Sequence, residues 1–377
     1  MDEERTDLTE NRNVITPGGQ RFVVIWVVCL LLLYVVGISF GVAKLRGYAA
    51  ESAKTREARI ASPTMELNAK APDLKSPSSA KLVDVLVGGN INRIGEFALR
   101  ESAMTADFNL WFRWNSDAVN PGKGFRIVNG QILKQENVES SRSGKEHYVE
   151  YHIVARMTED FDALRFPFGE NGLFIQVEDD THGAEALRYV ADKQGSGIDP
   201  EAMPRGVNLT RFLADTKIGI HKSGQKRPGP ADSTWKARSQ FILGMLVVPD
   251  SIGIYQKLFQ ALLASVALAL IALFIKPTHV DCRFGLPVGG FFTSVGNNIF
   301  VGTLLPHSDR LALTDMVNAT GLFTIFFILL QSVISLHIYD TMGNEKLSRF
   351  FDRVSFAVFL IGYVALNLAL PISARPL

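Results

Sequence analysis

The sequence predicts a membrane protein: an extracytoplasmic antiparallel β-sandwich followed by a four-helix transmembrane domain, with an extra transmembrane or signal helix at the amino terminus. Three observations carry that expectation. Hydrophobic residues make up 47% of the chain, an ordinary share, yet they gather in a few long uncharged runs. Between the first run and the others, apolar residues recur at every second position, the period of a half-buried strand. Lysine and arginine are shared unevenly among the connections of the later runs, which sets an orientation.

Bulk composition limits the alternatives. A chain of 377 residues has room for two ordinary domains, and a net charge of +1 gives neither the basic footprint of a nucleic-acid binder nor an acidic solvating tail. Only two cysteines are present, Cys29 inside an apolar run and Cys282 just ahead of another, so neither a disulfide framework nor a cysteine metal site is expected. The seven histidines are scattered, and HExxH and phosphate-loop motifs are absent, as is an intramembrane carboxylate pair. No enzymatic activity and no cofactor are expected.

Residues 1–21 are read as a polar tail in the cytoplasm. Residues 22–43, "FVVIWVVCLLLLYVVGISFGVA", are uncharged and long enough to cross a hydrocarbon core of roughly 30 Å. Two readings of this segment stand side by side: a retained anchor, and a signal peptide cut near Ala43 despite an atypically acidic start. Residues 44–80 read as a linker, first charged and alanine-rich with helical character, then punctuated by Pro and Ser in "SPTMELNAKAPDLKSPSSA".

Residues 81–250 carry the alternation. In "MTADFNLWFRWN", Phe108, Leu110, Phe112 and Trp114 point one way while Asp107, Asn109, Trp111 and Arg113 point the other. "KLVDVLVGGNINRI", "GFRIVNGQIL", "EHYVEYHIVARM", "GLFIQVED", "TKIGIHK" and "SQFILGMLVV" are further strands between Gly, Pro, Asn and Asp clusters, as in an antiparallel sandwich. "EALRYVADKQGSGIDP" fits less well and is read as a helical turn or long loop. One loop tip stands out. Phe166-Pro167-Phe168 places large aromatics where water is normally met, so a second apolar surface is expected to cover them.

Residues 251–377 hold four closely spaced apolar stretches: Leu258–Ile275, Phe284–Leu305, Leu311–Ile338 and Val354–Ile372. The second is weaker, with Gly285, Gly289, Gly290, Gly296, Gly302, Asn297 and Asn298, and suits an interior helix better than a lipid-facing one. The connection before it holds Lys276 and Arg283, and the connection between the last two stretches holds Lys346, Arg349 and Arg353. The intervening "PHSDRLALTD" has only Arg310 against Asp309 and Asp315. The positive-inside rule places the two basic connections in the cytoplasm and residues 81–250 outside. Lys44, Arg46, Lys54, Arg56 and Arg59, beyond the first span, oppose this orientation, and the four-span block outweighs that single flank.

Three segments together resemble the prokaryotic branch of the pentameric ligand-gated ion channels, which are Cys-loop receptor-like without the cysteines. "NINRIGEFALRESAMTADFNLWFRW" resembles the family's first two strands, and "DFDALRFPFGENGLFIQVED" its Phe-Pro-Phe-Asp loop. "DCRFGLPVGGFFTSVGNNIFVGTLLPHSDRLALTD" resembles its pore helix, opened by an Arg and closed by Leu-Pro. The resemblance covers residues 80–372 and implies a homopentamer in the lipid bilayer of a bacterial inner membrane. It further implies a small-molecule or ion agonist and permeating ions. It also implies that Phe166, Pro167 and Phe168 pack against Leu305–Thr314, beside Glu170 in the same coupling loop. Gly169 stands where the family has Asp, and the Arg expected before the first channel helix is missing from "LVVPDSIGIYQK", so the coupling charges are rewired or absent.

With Arg283 and Pro306 as register marks, one helical stripe runs Gly285, Gly289, Phe292, Gly296, Ile299, Thr303. In a ring of parallel helices it faces the axis, and Phe292 and Ile299 are candidates for an apolar constriction that blocks ions by dewetting. Asp281 is a candidate cation-selecting ring; the alternative is an ordinary helix cap. The glycines are alternatively helix-packing contacts, and Pro287 is expected in the first turn. The resemblance implies an agonist site among aromatics, for which Trp111, Tyr148, Tyr151 and Trp235 have rings suited to cation recognition and Arg113 lies beside Trp111 in the alternation, with the ordinary sandwich role as the alternative for both tyrosines. Glu178, Asp179 and Asp180 with His182 have the donors for a divalent ion, but the reading taken is a solvated loop, and no metal site is assigned. The function expected is a ligand-gated channel favouring cations; the alternative is a non-conducting membrane receptor or scaffold on the same fold.

Overall fold

A computed structural model describes residues 16–61, 82–159, 161–204, 206–222, 235–249, 251–306 and 308–376. The chain divides into two units: Met1–Ala50, Ala163–Gly169 and Ser251–Leu377 form one, and Glu51–Asp162 with Glu170–Asp250 the other.

The first described element is one long helix, α1 (Pro17–Ala61). The boundary expected at residue 43 is therefore not a break: alanine, lysine, arginine and glutamate are all good helix formers, and the helix runs on through the first part of the expected linker.

Among the described residues the second unit has ten strands: β1 (Val83–Ala98), β2 (Ala103–Trp114), β3 (Phe125–Ile127), β4 (Gly130–Ser143), β5 (Glu146–Thr158), β6 (Asn171–Asp179), β7 (Leu187–Ala191), β8 (Gly197–Ile198), β9 (Val207–Lys222) and β10 (Trp235–Pro249). One sheet has the order β4-β5-β2-β1-β7, with β8 also on β1, and the other the order β3-β6-β10-β9. Their inner faces share one core, in which Val85, Val87, Phe108 and Phe112 meet Ile175, Phe241 and Met245. The alternation read in the sequence is the burial pattern of β2, where Phe108, Leu110, Phe112 and Trp114 are buried. Two corrections apply. Residues 187–191 and 197–198 are strands rather than a helical turn or loop, and both pair with β1 in parallel, so the sandwich is not wholly antiparallel. Leu187 and Tyr189 alternate into the core, and that short pattern was hidden among polar neighbours.

The helical unit continues with α2 (Ser251–Ile271), α3 (Val280–Leu304), α4 (Leu313–Asp340) and α5 (Glu345–Ala374). Among the described residues, four helices are long and apolar enough to cross a membrane: α1, α2, α4 and α5. Helix α3 spans the expected position without that apolarity, in keeping with its glycines and asparagines. Its start at Val280 puts Pro287 in the helix interior instead of the first turn, where it cannot donate to the carbonyl of Arg283.

Helix α1 belongs to this unit's packing as far as Ala50. Tyr34 lies so close over Gly362 that a Cβ there would come within 2.4 Å of the ring, and its hydroxyl shares a 3.2 Å hydrogen bond with Thr324. The rings of Phe22 and Trp26 lie 5.7 and 5.6 Å from that of Phe351. Small-for-large exchange of this kind lets helices approach closely.

Candidate functional site

Helix α3 has two contrasting faces. Arg283, Pro287, Gly290, Ser294, Asn297 and Val301 are buried against the neighbouring helices. Gly290 is a packing glycine, since a Cβ there would lie 2.9 Å from the carbonyl oxygen of Ser265. Ser294 and Ser265 share a hydrogen bond of 3.1 Å, and Asn297 Nδ2 donates to Asn318 Oδ1 at 2.8 Å. Polar side chains thus pair with each other between helices.

The opposite face is the predicted stripe. Gly285, Gly289, Phe292, Gly296, Ile299 and Thr303 are all exposed, and a Cβ on Gly285, Gly289 or Gly296 would meet nothing within 4 Å. Within the chain these three are not packing glycines. Phe292 and Ile299 are 70% and 65% exposed, a largely uncovered apolar surface on which the ring of Phe292 stands edge-on to that of its chain neighbour Phe291. Asp281 lies exposed in the first turn of α3, where its charge complements the helix dipole, but the N-cap residue is His279, so Asp281 is not the cap.

At the same end of α3 the sequence concealed an ion pair. The guanidinium of Arg283 grips Asp352 of α5 with two bonds of 2.9 and 2.6 Å and donates also to the carbonyl of Ile275 at 2.7 Å. Gln331 Nε2 of α4 completes the carboxylate's partners at 2.7 Å. Both charged groups are buried, so Arg283 is neutralised and does not count as a free cation in the orientation argument; Lys276 remains. The only sequence signal was an Asp on an apolar helix and an Arg opening another, which pattern alone could not join.

The aromatic tip is covered. Phe168 is buried and Phe166 partly buried in the helical unit's main cluster, together with Leu305 and Leu313, and the peptide between Phe166 and Pro167 is cis. The ring of Phe168 stands 5.7 Å from that of Tyr255 on α2, a contact not anticipated from the expected cover of residues 305–314. Glu170, the next charged residue, is paired with Arg56 near the end of α1 and accepts from the Thr210 hydroxyl at 2.8 Å.

In the sandwich, the agonist candidates separate. Trp111, Arg113 and Tyr148 share the outer face of the larger sheet, with Arg113 directly opposite Tyr148 and its guanidinium 5.7 Å from the ring centre. Trp111 covers Gly88, where a Cβ would come within 2.6 Å of the indole, and donates to Asp192 at 3.3 Å. Tyr148 donates to Glu150 at 2.8 Å, and burial together with that carboxylate pushes its phenol up to about 12. Tyr151 points inward, packed 5.4 Å from Phe125, and burial raises its pKa. Tyr151 is thus a core residue and shares no surface with Tyr148. Trp235 opens β10, and its side chain lies outside the described residues.

Outer-face polar side chains missed in the sequence continue this patch. Asn92 donates to Asn109 at 3.0 Å, Asn109 to Glu150 at 2.7 Å, and His152 lies 2.6 Å from Asp107. The acidic run that closes β6 is not the solvated loop considered above. Glu178 and Asp179 are fully buried, held by His221 at 2.7 Å and by His182 at 3.0 Å. Among the described residues no three histidine, cysteine, aspartate or glutamate side chains are placed to hold a metal ion.

The chain matches no protein-family model and no curated protein. Its chemistry must be argued from the faces just described.

Proposed function

We propose that the chain is one subunit of a homopentameric ligand-gated ion channel, set in a bacterial inner membrane with the sandwich outside. The observation that carries this reading is the division of α3. One face is anchored through Arg283, Ser294 and Asn297, and the other presents a continuous small and apolar stripe that no part of the described chain covers. A ring of identical subunits closes such a stripe on itself around an axis, with Phe292 and Ile299 as its narrow apolar levels and Asp281 as a carboxylate ring favouring cations. The four helices of sufficient length and apolarity support the membrane setting. Trp111, Arg113 and Tyr148, with their carboxylate partners, offer the patch for a small polar or cationic agonist.

The test is planar-bilayer recording from purified, size-checked protein across pH, divalent ions and small amines, with Phe292→Ala alongside. Single-channel steps altered by the substitution support the channel. Silence from both proteins, with a pentamer established by mass, replaces it with a non-conducting receptor of the same architecture.

A further inference from the structure

We infer that the cleft between α1 and the pair α4 and α5 holds one hydrocarbon chain, the acyl tail of a bilayer lipid. Leu33 and Gly37 of α1, Phe323 and Phe327 of α4, and Phe359 and Leu366 of α5 line a cavity of about 340 Å³. Five of its eleven lining residues come from α1, which lies outside the residues resembling the channel family.

The lining selects the ligand's chemistry. Hydroxyls of Tyr34, Thr320 and Thr324 border the cavity, and each is engaged by the protein: Tyr34 with Thr324 at 3.2 Å, Thr324 donating to the Thr320 carbonyl at 2.7 Å, and Thr320 to the Val317 carbonyl at 2.8 Å. With their protons engaged, these hydroxyls offer a polar ligand no donor in exchange for water, whereas a hydrocarbon gives up nothing. The size selects its shape. A helix with side chains is about 10–12 Å across, too wide for this cavity, while a flexible chain fits it.

The position selects its source. Leu33, Val36 and Phe323 at the rim are 45%, 65% and 58% exposed, on helices apolar enough to cross a membrane. The cleft opens through the surface that the proposed membrane bathes, and the inference rests on that reading. A filled cleft also restores dispersion contacts that an empty one forfeits, so the tail helps to hold α1 against its neighbours.

The full chain is reconstituted into phosphatidylethanolamine–phosphatidylglycerol nanodiscs containing a trace of phospholipid with a mid-chain diazirine, irradiated, and mapped by peptide mass spectrometry. Adducts are expected to be several-fold denser on residues 30–37 and 320–327 than at Ile361 and Leu368, which are 66% and 60% exposed on α5. Gly37→Phe fills the cleft from α1, where a Cβ would make only ordinary contact, 3.9 Å from Leu366. It should remove most cleft adducts and leave those on Ile361 and Leu368. Thr320→Met fills it from α4 and guards against misfolding of the first variant. Adducts spread evenly over the helices, or unchanged in both folded variants, overturn the inference while the membrane reading stands. A chain that takes no adduct on any helix overturns both.

Discussion

Arg56 is ion-paired with Glu170 across 114 residues of sequence, and it donates a second bond, at 3.2 Å, to the backbone carbonyl of the same glutamate. Their side chains are only 17% and 15% exposed, and Glu170 also accepts from Thr210. The carboxylate that follows the aromatic tip therefore finds its cation on the amino-terminal helix.

That pairing predicts a non-additive double-mutant cycle. Arg56→Ala and Glu170→Ala should each cost roughly 1.5–3 kcal/mol, as expected for a largely buried hydrogen bond to a charged group. The double variant should cost much less than their sum. Thermal unfolding of the four proteins measures it, and strict additivity would sink the claim that the two side chains act together.

Arg283 and Asp352 should behave more severely. Breaking the pair by Arg283→Met or Asp352→Leu alone strands a buried charge, at about 3–5 kcal/mol. Replacing both by apolar residues removes the stranded charge and should recover most of the loss. Retained oligomer after heating in detergent, assayed on sizing columns, reports the order of stabilities.

Gly290 and Gly296 should separate packing from conduction. Leucine at 290 collides with the Ser265 carbonyl and should reduce folded yield, whereas a Cβ at 296 meets nothing within 4 Å. Gly296→Leu should therefore give normal amounts of folded protein and sharply reduced unitary current. Equal losses of folding at both positions would contradict the exposed stripe.

Tyr148 supplies a pH signature. Burial, then the Glu150 hydrogen bond and charge, raise its phenol from 10.0 to about 12. A group whose pKa is higher in the folded state contributes in full below pH 10, and the contribution is lost as pH climbs toward 12. The difference in phenolate absorbance between wild type and Tyr148→Phe should have its midpoint near 12, and Glu150→Gln should lower it. A wild-type midpoint near 10 would contradict the geometry of this site.

Periodicity made much of this fold legible. The two-residue alternation of Phe108 to Trp114 gave β2 and its buried face, and uncharged runs gave the helices. The exposed side of α3 was legible because glycine, phenylalanine and isoleucine recur at helical steps from an arginine mark. Partnerships distant in sequence were not. Nothing near Asp352 names Arg283, and nothing near Glu170 names Arg56, since a charge pair has no period. Strands β7 and β8 escaped because each is too short to establish an alternation and pairs with β1 only through tertiary structure. Tyr151 was placed with Tyr148 by residue type, although their spacing of three puts them on opposite faces of a strand.

The glycines of α3 bear on how the molecule comes together. Gly285, Gly289, Gly290, Gly296 and Gly302 each weaken a helix by about 1 kcal/mol relative to alanine, and Pro287 removes a further internal bond. A solitary protomer therefore holds this helix only through its anchored face. If the proposed homopentamer holds, amide hydrogens along α3 should exchange earliest among the long helices described when subunits are dispersed, and slow markedly once neighbours surround it. In the proposed homopentamer, assembly and the final ordering of this segment are then a single event.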